Sequence, residues 1–255
     1  MRNLKRTLSL ALASVMLVGM MSVGASAVNA SDFTDADEIV NKDAVSTMTA
    51  LGIINGKEDG SYFDPTGNVT RAEMAKMLCV AINGGVDPVL GVKDTPTFTD
   101  IKGTWAESYI EYCAANGIIA GRGNNKFDPT GTVSATEAAK MLLGVLGYSA
   151  EKSGLVGNDW AINTNVLANQ NGLYKKLANL NANTLLTRDN AAQMIYNALD
   201  ANMVELNAAG NYTTSQYSYT GTESVVTGTE RVWVVKIKDS SVNDAIKALD
   251  GSVYN

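Results

Sequence analysis

Histidine is absent from all 255 residues. That removes the side chain most often used as a general base near neutral pH, and the commonest metal ligand. The chain also lacks a Gly-x-Ser-x-Gly turn, a phosphate-cradling glycine loop and any cluster at metal-ligand spacing, so no metal and no cofactor is assigned. Its adjacent carboxylates, Glu58 with Asp59 and Asp37 with Glu38, lie on polar stretches. Acid–base chemistry needs carboxyls that converge in a pocket, and solvated neighbours do not supply that. The loop from Lys57 to Ser61 has too few carboxylates at alternate positions to bind calcium. These absences argue against an enzyme.

Basic charge is also in short supply, with 20 Lys and Arg against 26 Asp and Glu. Three of the cations, Arg2, Lys5 and Arg6, precede an apolar stretch from Leu8 to Val23, which ends in Ala25-Ser26-Ala27. Basic start, apolar middle and small-residue end are the three parts of a secretory signal, here residues 1–27. The competing reading, a membrane anchor, calls for a longer apolar run. No later stretch is long and apolar enough to span a bilayer. Without residues 1–27 the balance is 17 Lys and Arg against 26 acids, a net charge of −9. Nucleic-acid binding needs a basic footprint, so it is not expected. A few arginines can still build a local anion site.

Cysteine occurs twice, as Cys79 and Cys113. Export makes a disulfide chemically possible. The two nevertheless fall at different places in the repeat described next, Cys113 in register with Met48 and Cys79 with Leu143. Both counterparts are apolar, which favours small buried side chains over a repeat-encoded bridge.

What the chain does have is self-similarity. Phe33-Thr34-Asp35 returns as Phe98-Thr99-Asp100, and Leu51-Gly52-Ile53-Ile54-Asn55-Gly56 as Asn116-Gly117-Ile118-Ile119-Ala120-Gly121. Phe63-Asp64-Pro65-Thr66-Gly67 returns as Phe127-Asp128-Pro129-Thr130-Gly131. Order and spacing are kept, with a shift of 65 and then 64 residues. A fixed period of this length marks one supersecondary unit copied along the chain. Such units stack, and their seams are where binding occurs.

Each unit reads as helix, loop, helix. Val40, Ala44, Met48 and Leu51 share one helical face. Gly52 stands where a left-handed residue often ends a helix, and Asn55-Gly56 reads as a turn. A polar loop follows from Lys57 to Thr66. Thr70 and Glu73 then form a capping box that starts the second helix, whose apolar stripe is Met74, Met77, Leu78, Ala81 and Ile82. In unit two the first helix begins near Trp105 and ends before Gly117. Ser134 and Glu137 repeat the box there, and Ala138, Met141, Leu142, Val145 and Leu146 repeat the stripe. A worn third copy places Trp160 opposite Trp105 and Asn171-Gly172-Leu173 opposite Asn116-Gly117-Ile118. Its cap is Thr187 and its stripe Ala191, Met194, Ile195, Ala198 and Leu199. It lacks both the Phe-x-Asp opening and the Phe-Asp-Pro loop.

None of these two-helix units can bury its apolar side alone, so the expected fold is mostly α, with three units around a shared core. The boundaries are 31–86, 96–148 and, for the divergent copy, 153–200. Residues 201–231 read as a linker, rich in Asn, Thr, Ser, Tyr and Gly from 207 onward. Residues 232–255 form a short C-terminal piece, with a strand at Val232–Ile237 and a short helix from Val242 to Leu249.

Taken together, the Phe-Thr-Asp openings, the Gly-Ile-Ile-x-Gly segment, the Phe-x-Pro-x-Gly loop and Thr70-Arg71-Ala72-Glu73 resemble the S-layer homology (SLH) repeat. The corresponding tetrads are Ser134-Ala135-Thr136-Glu137 and Thr187-Arg188-Asp189-Asn190. The resemblance covers about residues 31–200. It implies a pseudo-threefold helical prism whose inter-repeat grooves bind cell-wall glycan, often pyruvylated secondary polysaccharide or another glycan linked to peptidoglycan. It also implies an exported protein held on the bacterial cell surface as a non-catalytic anchor. Two other roles stay open, a self-assembling S-layer subunit and the anchor part of an exported enzyme.

The candidate ligand-binding residues follow from that resemblance. Arg71 and Arg188 lie in the first turn of a second helix, where the helix dipole opposes a cation. The position makes sense if an anion is near, because a guanidinium grips a carboxylate in bidentate fashion and first-turn N–H groups can assist. A pyruvyl ketal carries such a carboxylate. The alternative is a solvated arginine paired with Glu73 or Asp189. Trp105 and Trp160 could stack on sugar rings or wedge neighbouring units together. Asp35 and Asp100 could accept hydrogen bonds from sugar hydroxyls, or cap helices and brace loops. Gly56 and Gly121 could admit a ligand to the backbone, or only make a turn. Ala135 replaces the arginine in unit two, Val40 the tryptophan in unit one, and unit three has no opening aspartate. Fewer than three working grooves are therefore expected, with Arg122 as a stand-in for the cation missing at Ala135.

Overall fold

A computed structural model describes residues 28–177, 180, 183–214, 223–227 and 230–234. The expected signal segment and the helix expected at 242–249 lie outside the described residues. Six helices make up the body. They are α1 (Lys42–Ala50), α2 (Arg71–Ile82), α3 (Glu107–Ala115), α4 (Ala135–Val145), α5 (Trp160–Gln170) and α6 (Arg188–Leu199). The molecule is thus mostly helical, two helices to each unit.

The second helices start where their caps dictate. The Thr70 and Ser134 side chains accept from the N–H of Glu73 and Glu137, and both glutamates return the bond to the cap backbone. Thr187 accepts from the Asn190 N–H in the same way. The first helices all stop alike. Gly52, Gly117 and Gly172 take φ of 70°, 69° and 70°. The next residue then reaches back, Ile53 to Met48, Ile118 to Cys113 and Leu173 to Ala168, at 2.9 Å each. This is the Schellman closure, which turns the chain into the following loop. Val40 does not join the face expected of it. The helix begins two residues later at Lys42, and Val40 is 82% exposed.

The units interlock in a ring. The three residues just before the second-helix caps are fully buried and bond in a closed cycle. The Val69 N–H donates to the Leu186 carbonyl (2.9 Å), Leu186 to Val133 (2.8 Å), and Val133 to Val69 (2.9 Å). Each thereby satisfies a backbone group that could not otherwise be buried without penalty. Around this axis each second helix packs on the first helix of the next unit, α2 on α3, α4 on α5 and α6 on α1. The last contact closes the prism. Met74, Leu78, Met141, Leu142, Met194 and Ile195 line the shared core.

Two short antiparallel hairpins follow. One pairs β1 (Val204–Leu206) with β2 (Tyr212–Thr214), and the other pairs β3 (Glu223–Thr227) with β4 (Glu230–Val234). Strands β1, β2 and β3, and the first two residues of β4, lie in the stretch read as linker. The strand expected at Val232–Ile237 is described up to Val234. The first hairpin is docked. The Val204 N–H bonds the Leu146 carbonyl at 2.8 Å, and the Tyr212 ring lies 5.1 Å from Tyr148.

Candidate functional site

The seam between units one and two is built from the helix start of one and the loop of the other. In unit two the Phe-Thr-Asp opening clamps its own loop. Phe98 packs on Phe127 with ring centroids 5.5 Å apart. The Thr99 N–H donates to the Asn125 carbonyl. The Asp100 carboxylate accepts from the N–H groups of Phe127 and Asp128, both at 2.8 Å. Burial disfavours the Asp100 charge, but these donors bring its pKa below the usual carboxylate value. Unit one repeats the clamp. Phe33 stacks on Phe63 at 5.3 Å, and Asp35 accepts from Phe63 N–H (2.9 Å) and Asp64 N–H (2.7 Å). The two aspartates are therefore loop braces in this structure. Gly56 and Gly121 have no room for a side chain. A Cβ would stand 2.2 Å from the Gly60 carbonyl in one case, and 2.7 Å from the Lys126 carbonyl in the other.

Onto each braced loop reaches an arginine of a neighbouring unit. Arg71 donates from Nε to the Phe127 carbonyl (2.7 Å) and from Nη2 to the Ala120 carbonyl (2.7 Å), with its guanidinium 4.3 Å from the Phe127 ring centroid. Arg188 does the same to unit one, bonding the Phe63 and Asn55 carbonyls at 2.8 Å each. Neither is the solvated side chain of the alternative reading, at 3% and 4% exposure. Burial pushes the Arg71 pKa down to about 10 against the pull of Glu137, and lowers Arg188 against Glu73 and Asp64. The ion-pair partner of Arg71 is Glu137, at 3.5 Å from Nη1.

The helix N–H groups are taken as well. Arg71 N–H bonds the Gly131 carbonyl and Ala72 N–H the Pro129 carbonyl, while Arg188 and Asp189 N–H bond Gly67 and Pro65. The expected help from first-turn N–H groups is thus absent, because the adjoining loop caps them. Glu137 meets a second cation, Arg122, at 2.8 Å. Arg122 also bonds the Asp128 carboxylate and the Thr132 carbonyl, both at 2.7 Å. Burial works against the Arg122 charge, but these carboxylate bonds raise its pKa overall. Burial likewise raises Glu137, and the Ser134 N–H and Arg122 overcome it to leave a lowered pKa. The register equivalent of Arg122 is Lys57, which bonds Asp64 at 2.5 Å. Arg122 therefore belongs beside Arg71 and does not replace the cation missing at Ala135.

Six expected site residues thus gather into two sets, Arg71 with Asp100 and Gly121, and Arg188 with Asp35 and Gly56. The tryptophans have other partners. Trp105 is 60% exposed and leans on Tyr109, with centroids 6.3 Å apart. Trp160 is half-buried under the Lys140 ammonium, 5.2 Å from its ring centroid. The pairs Arg122–Asp128 and Lys57–Asp64 were not singled out as site features from sequence. Cations at equivalent repeat positions, each followed by the Phe-Asp-Pro aspartate, were the available signal.

The third seam is made differently. Ala135 offers no guanidinium, and unit three has no Phe-Asp-Pro loop to receive one. The Ala135 N–H bonds the Thr184 carbonyl, and Thr136, Asn165 and Tyr174 form a polar chain, with Tyr174 hydroxyl to Asn165 at 2.6 Å. Burial raises the Tyr174 pKa to about 12. Among the described residues, no group of His, Cys, Asp or Glu could hold a metal ion, and no helix is long and apolar enough to cross a membrane.

Repeated helix pairs, interlocked through loop-bound arginines, define a helical repeat module built around one shared core. The S-layer homology domain model matches residues 32–75 and 97–139. The chain thus carries two matches to the S-layer homology domain, one on each of its first two units. It is 30% identical over 113 residues to an S-layer protein of Bacillus licheniformis, covering 44% of this chain and 12% of that one. Similarity to a cell surface protein of Thermoanaerobacter kivui is 28% over 207 residues, 80% of this chain and 26% of the relative. An exoglucanase, XynX, of Acetivibrio thermocellus is 28% identical over 156 residues, 57% of this chain and 14% of the enzyme. The chain spans between about an eighth and a quarter of these relatives' lengths. The family match and these relatives place it at the cell surface or cell wall and support an anchoring role there.

Proposed function

We propose that the chain is a non-catalytic anchor that binds an anionic cell-wall glycan, of the pyruvylated secondary polysaccharide class, in its inter-repeat seams. The observation that carries this reading is the same cationic arrangement built twice. Arg71 with Arg122, and Arg188 with Lys57, flank equivalent loops on a chain whose overall charge is negative. Buried arginines fix the loops, while Arg122 and Lys57 keep about a third of their side chains exposed. A ligand carboxylate would meet the exposed cation first, then compete with Glu137 for the last Nη1 contact of Arg71. Trp105, exposed ahead of α3, offers a flat apolar face for a sugar ring. Under this reading Arg71, Arg188, Trp105, Trp160, Arg122 and Lys57 are the side chains that meet the glycan, while Asp35, Asp100, Gly56 and Gly121 shape the loops it binds.

The test is sedimentation of residues 28–255 with purified wall sacculi, before and after the secondary polysaccharide is stripped. Binding should disappear on stripping. It should weaken at least tenfold in a Lys57→Ala, Arg122→Ala double variant that retains its helical circular dichroism. Binding that survives stripping sinks the polysaccharide reading in favour of peptidoglycan or protein contacts. The S-layer relatives favour a second reading, a subunit of a surface array, which predicts ordered oligomers of the chain in size-exclusion chromatography.

A further inference from the structure

Cys79 and Cys113 sit in non-equivalent places in the repeat, which on sequence grounds speaks against a bridge. The seam packing removes that objection, because α2 of unit one lies on α3 of unit two, and these are non-equivalent helices. The two sulfurs face each other at 3.4 Å, in a site where both residues are almost wholly buried. The register-equivalent pairs at the other seams are Leu143 with Ala168 and Tyr196 with Met48. Those are apolar or aromatic packing pairs, so a thiol is not needed to fill the space. At this register position, only the seam between units one and two carries sulfur on both sides.

We propose that Cys79 and Cys113 form a disulfide in the exported protein, a covalent staple across the seam that holds Arg71 on the Phe127 loop. The inference rests on the cell-surface location and not on the glycan reading. A disulfide needs the sulfurs about 2.05 Å apart, so each must move by roughly 0.7 Å, within the reach of a small side-chain rotation. The oxidant is a disulfide, either an oxidised small thiol or the active disulfide of a thiol oxidoreductase. One cysteine thiolate attacks it, forming a mixed disulfide and releasing one thiol. The second thiolate attacks the mixed disulfide and releases the other. Two cysteine thiols thus lose two protons and two electrons, and the oxidant gains them as two thiols. In the folded molecule this exchange is slow. The contact with Cys79 and burial raise the Cys113 pKa, and neither sulfur is open to an incoming disulfide. The staple therefore forms while the chain folds.

The full chain is refolded from its reduced, denatured state in a glutathione redox buffer, then denatured and alkylated. The expected product has no alkylated cysteine, has lost two hydrogens by intact mass, and yields a linked Cys79–Cys113 peptide. Its thermal midpoint lies about 5–10 °C above that of the reduced protein. The shift is absent in a Cys79→Ala, Cys113→Ala variant. The same buffer added to folded, reduced protein should oxidise it at least tenfold more slowly than it oxidises the denatured chain. Two alkylated cysteines, glutathione adducts or an intermolecular dimer after refolding overturn the proposal. So does a linked protein that melts at or below the reduced one.

Discussion

Arg71 is the side chain on which most of its seam depends. It is buried, and its donors satisfy the carbonyls of Phe127 and Ala120. Arg71→Ala leaves both carbonyls without their partner, so it should lower unfolding free energy by about 2–4 kcal/mol, read by urea titration. Arg71→Lys should recover little of this, since an ammonium lacks the planar fork that spans two acceptors. Position in the first turn was legible in the sequence, but the partners were not. They lie 56 and 49 residues away, and one sequence does not state which loop meets which helix. Two carboxyls at the seams should respond to pH in opposite senses. Burial raises the Asp189 pKa although Asn41 donates to it, so the folded state holds that proton more tightly than the unfolded chain. Its contribution is fully present below the unfolded value, near 4, and is lost as pH rises through the folded one. The Glu137 pKa is lowered overall, so its contribution is present above the unfolded value and lost as pH falls through the folded one. Stability measured against pH should therefore drop less on acidification in Glu137→Gln, and less on raising pH from about 4 in Asp189→Asn, than in the parent. Parallel curves for parent and variant would remove the assignment.

At the scale of elements, local rules wrote the helices and tertiary contacts edited them. The capping boxes and glycine stops could be read because each is settled within a few residues by the chain's own N–H and carbonyl groups. Val40 was misplaced for the converse reason. Its spacing suited the apolar face, but α1 begins only at Lys42, where the Asn41 N–H and side chain bond Asp189 of unit three. That contact cannot be inferred from periodicity. The glycine stops offer a graded test, because Gly52 and Gly117 share one conformation in different surroundings. A Cβ at Gly117 meets nothing within 4 Å, whereas at Gly52 it lies 2.7 Å from the Gly85 carbonyl. Gly117→Ala should cost about 1 kcal/mol of backbone strain. Gly52→Ala should cost clearly more, because a backbone carbonyl must also move. Equal midpoints in thermal unfolding would show that the Gly85 turn yields freely.

For the whole molecule, the co-occurrence of losses is informative. The arginine is absent from unit two, and the opening and loop are absent from unit three, and these belong to the same seam. In the two complete seams the Phe-Thr-Asp opening braces the loop and the loop receives a neighbour's guanidinium, so the parts act as one unit and are missing together from the third. The polar chain of Thr136, Asn165 and Tyr174 closes that seam by other means, and the ring of Val69, Leu186 and Val133 stays intact. Fold and seam chemistry are thus separable here. Three seams hold the prism, and two carry the cationic arrangement. If those two are the glycan sites, calorimetric titration with wall polysaccharide fragments should give two sites per chain, falling to one in Arg122→Ala. Ala135→Arg should not restore a third site. Its guanidinium would find no Phe-Asp-Pro loop braced by an opening aspartate in unit three. A gain of one binding site in Ala135→Arg would mean that the cation alone makes the groove, and that the braced loops serve only to hold the prism together.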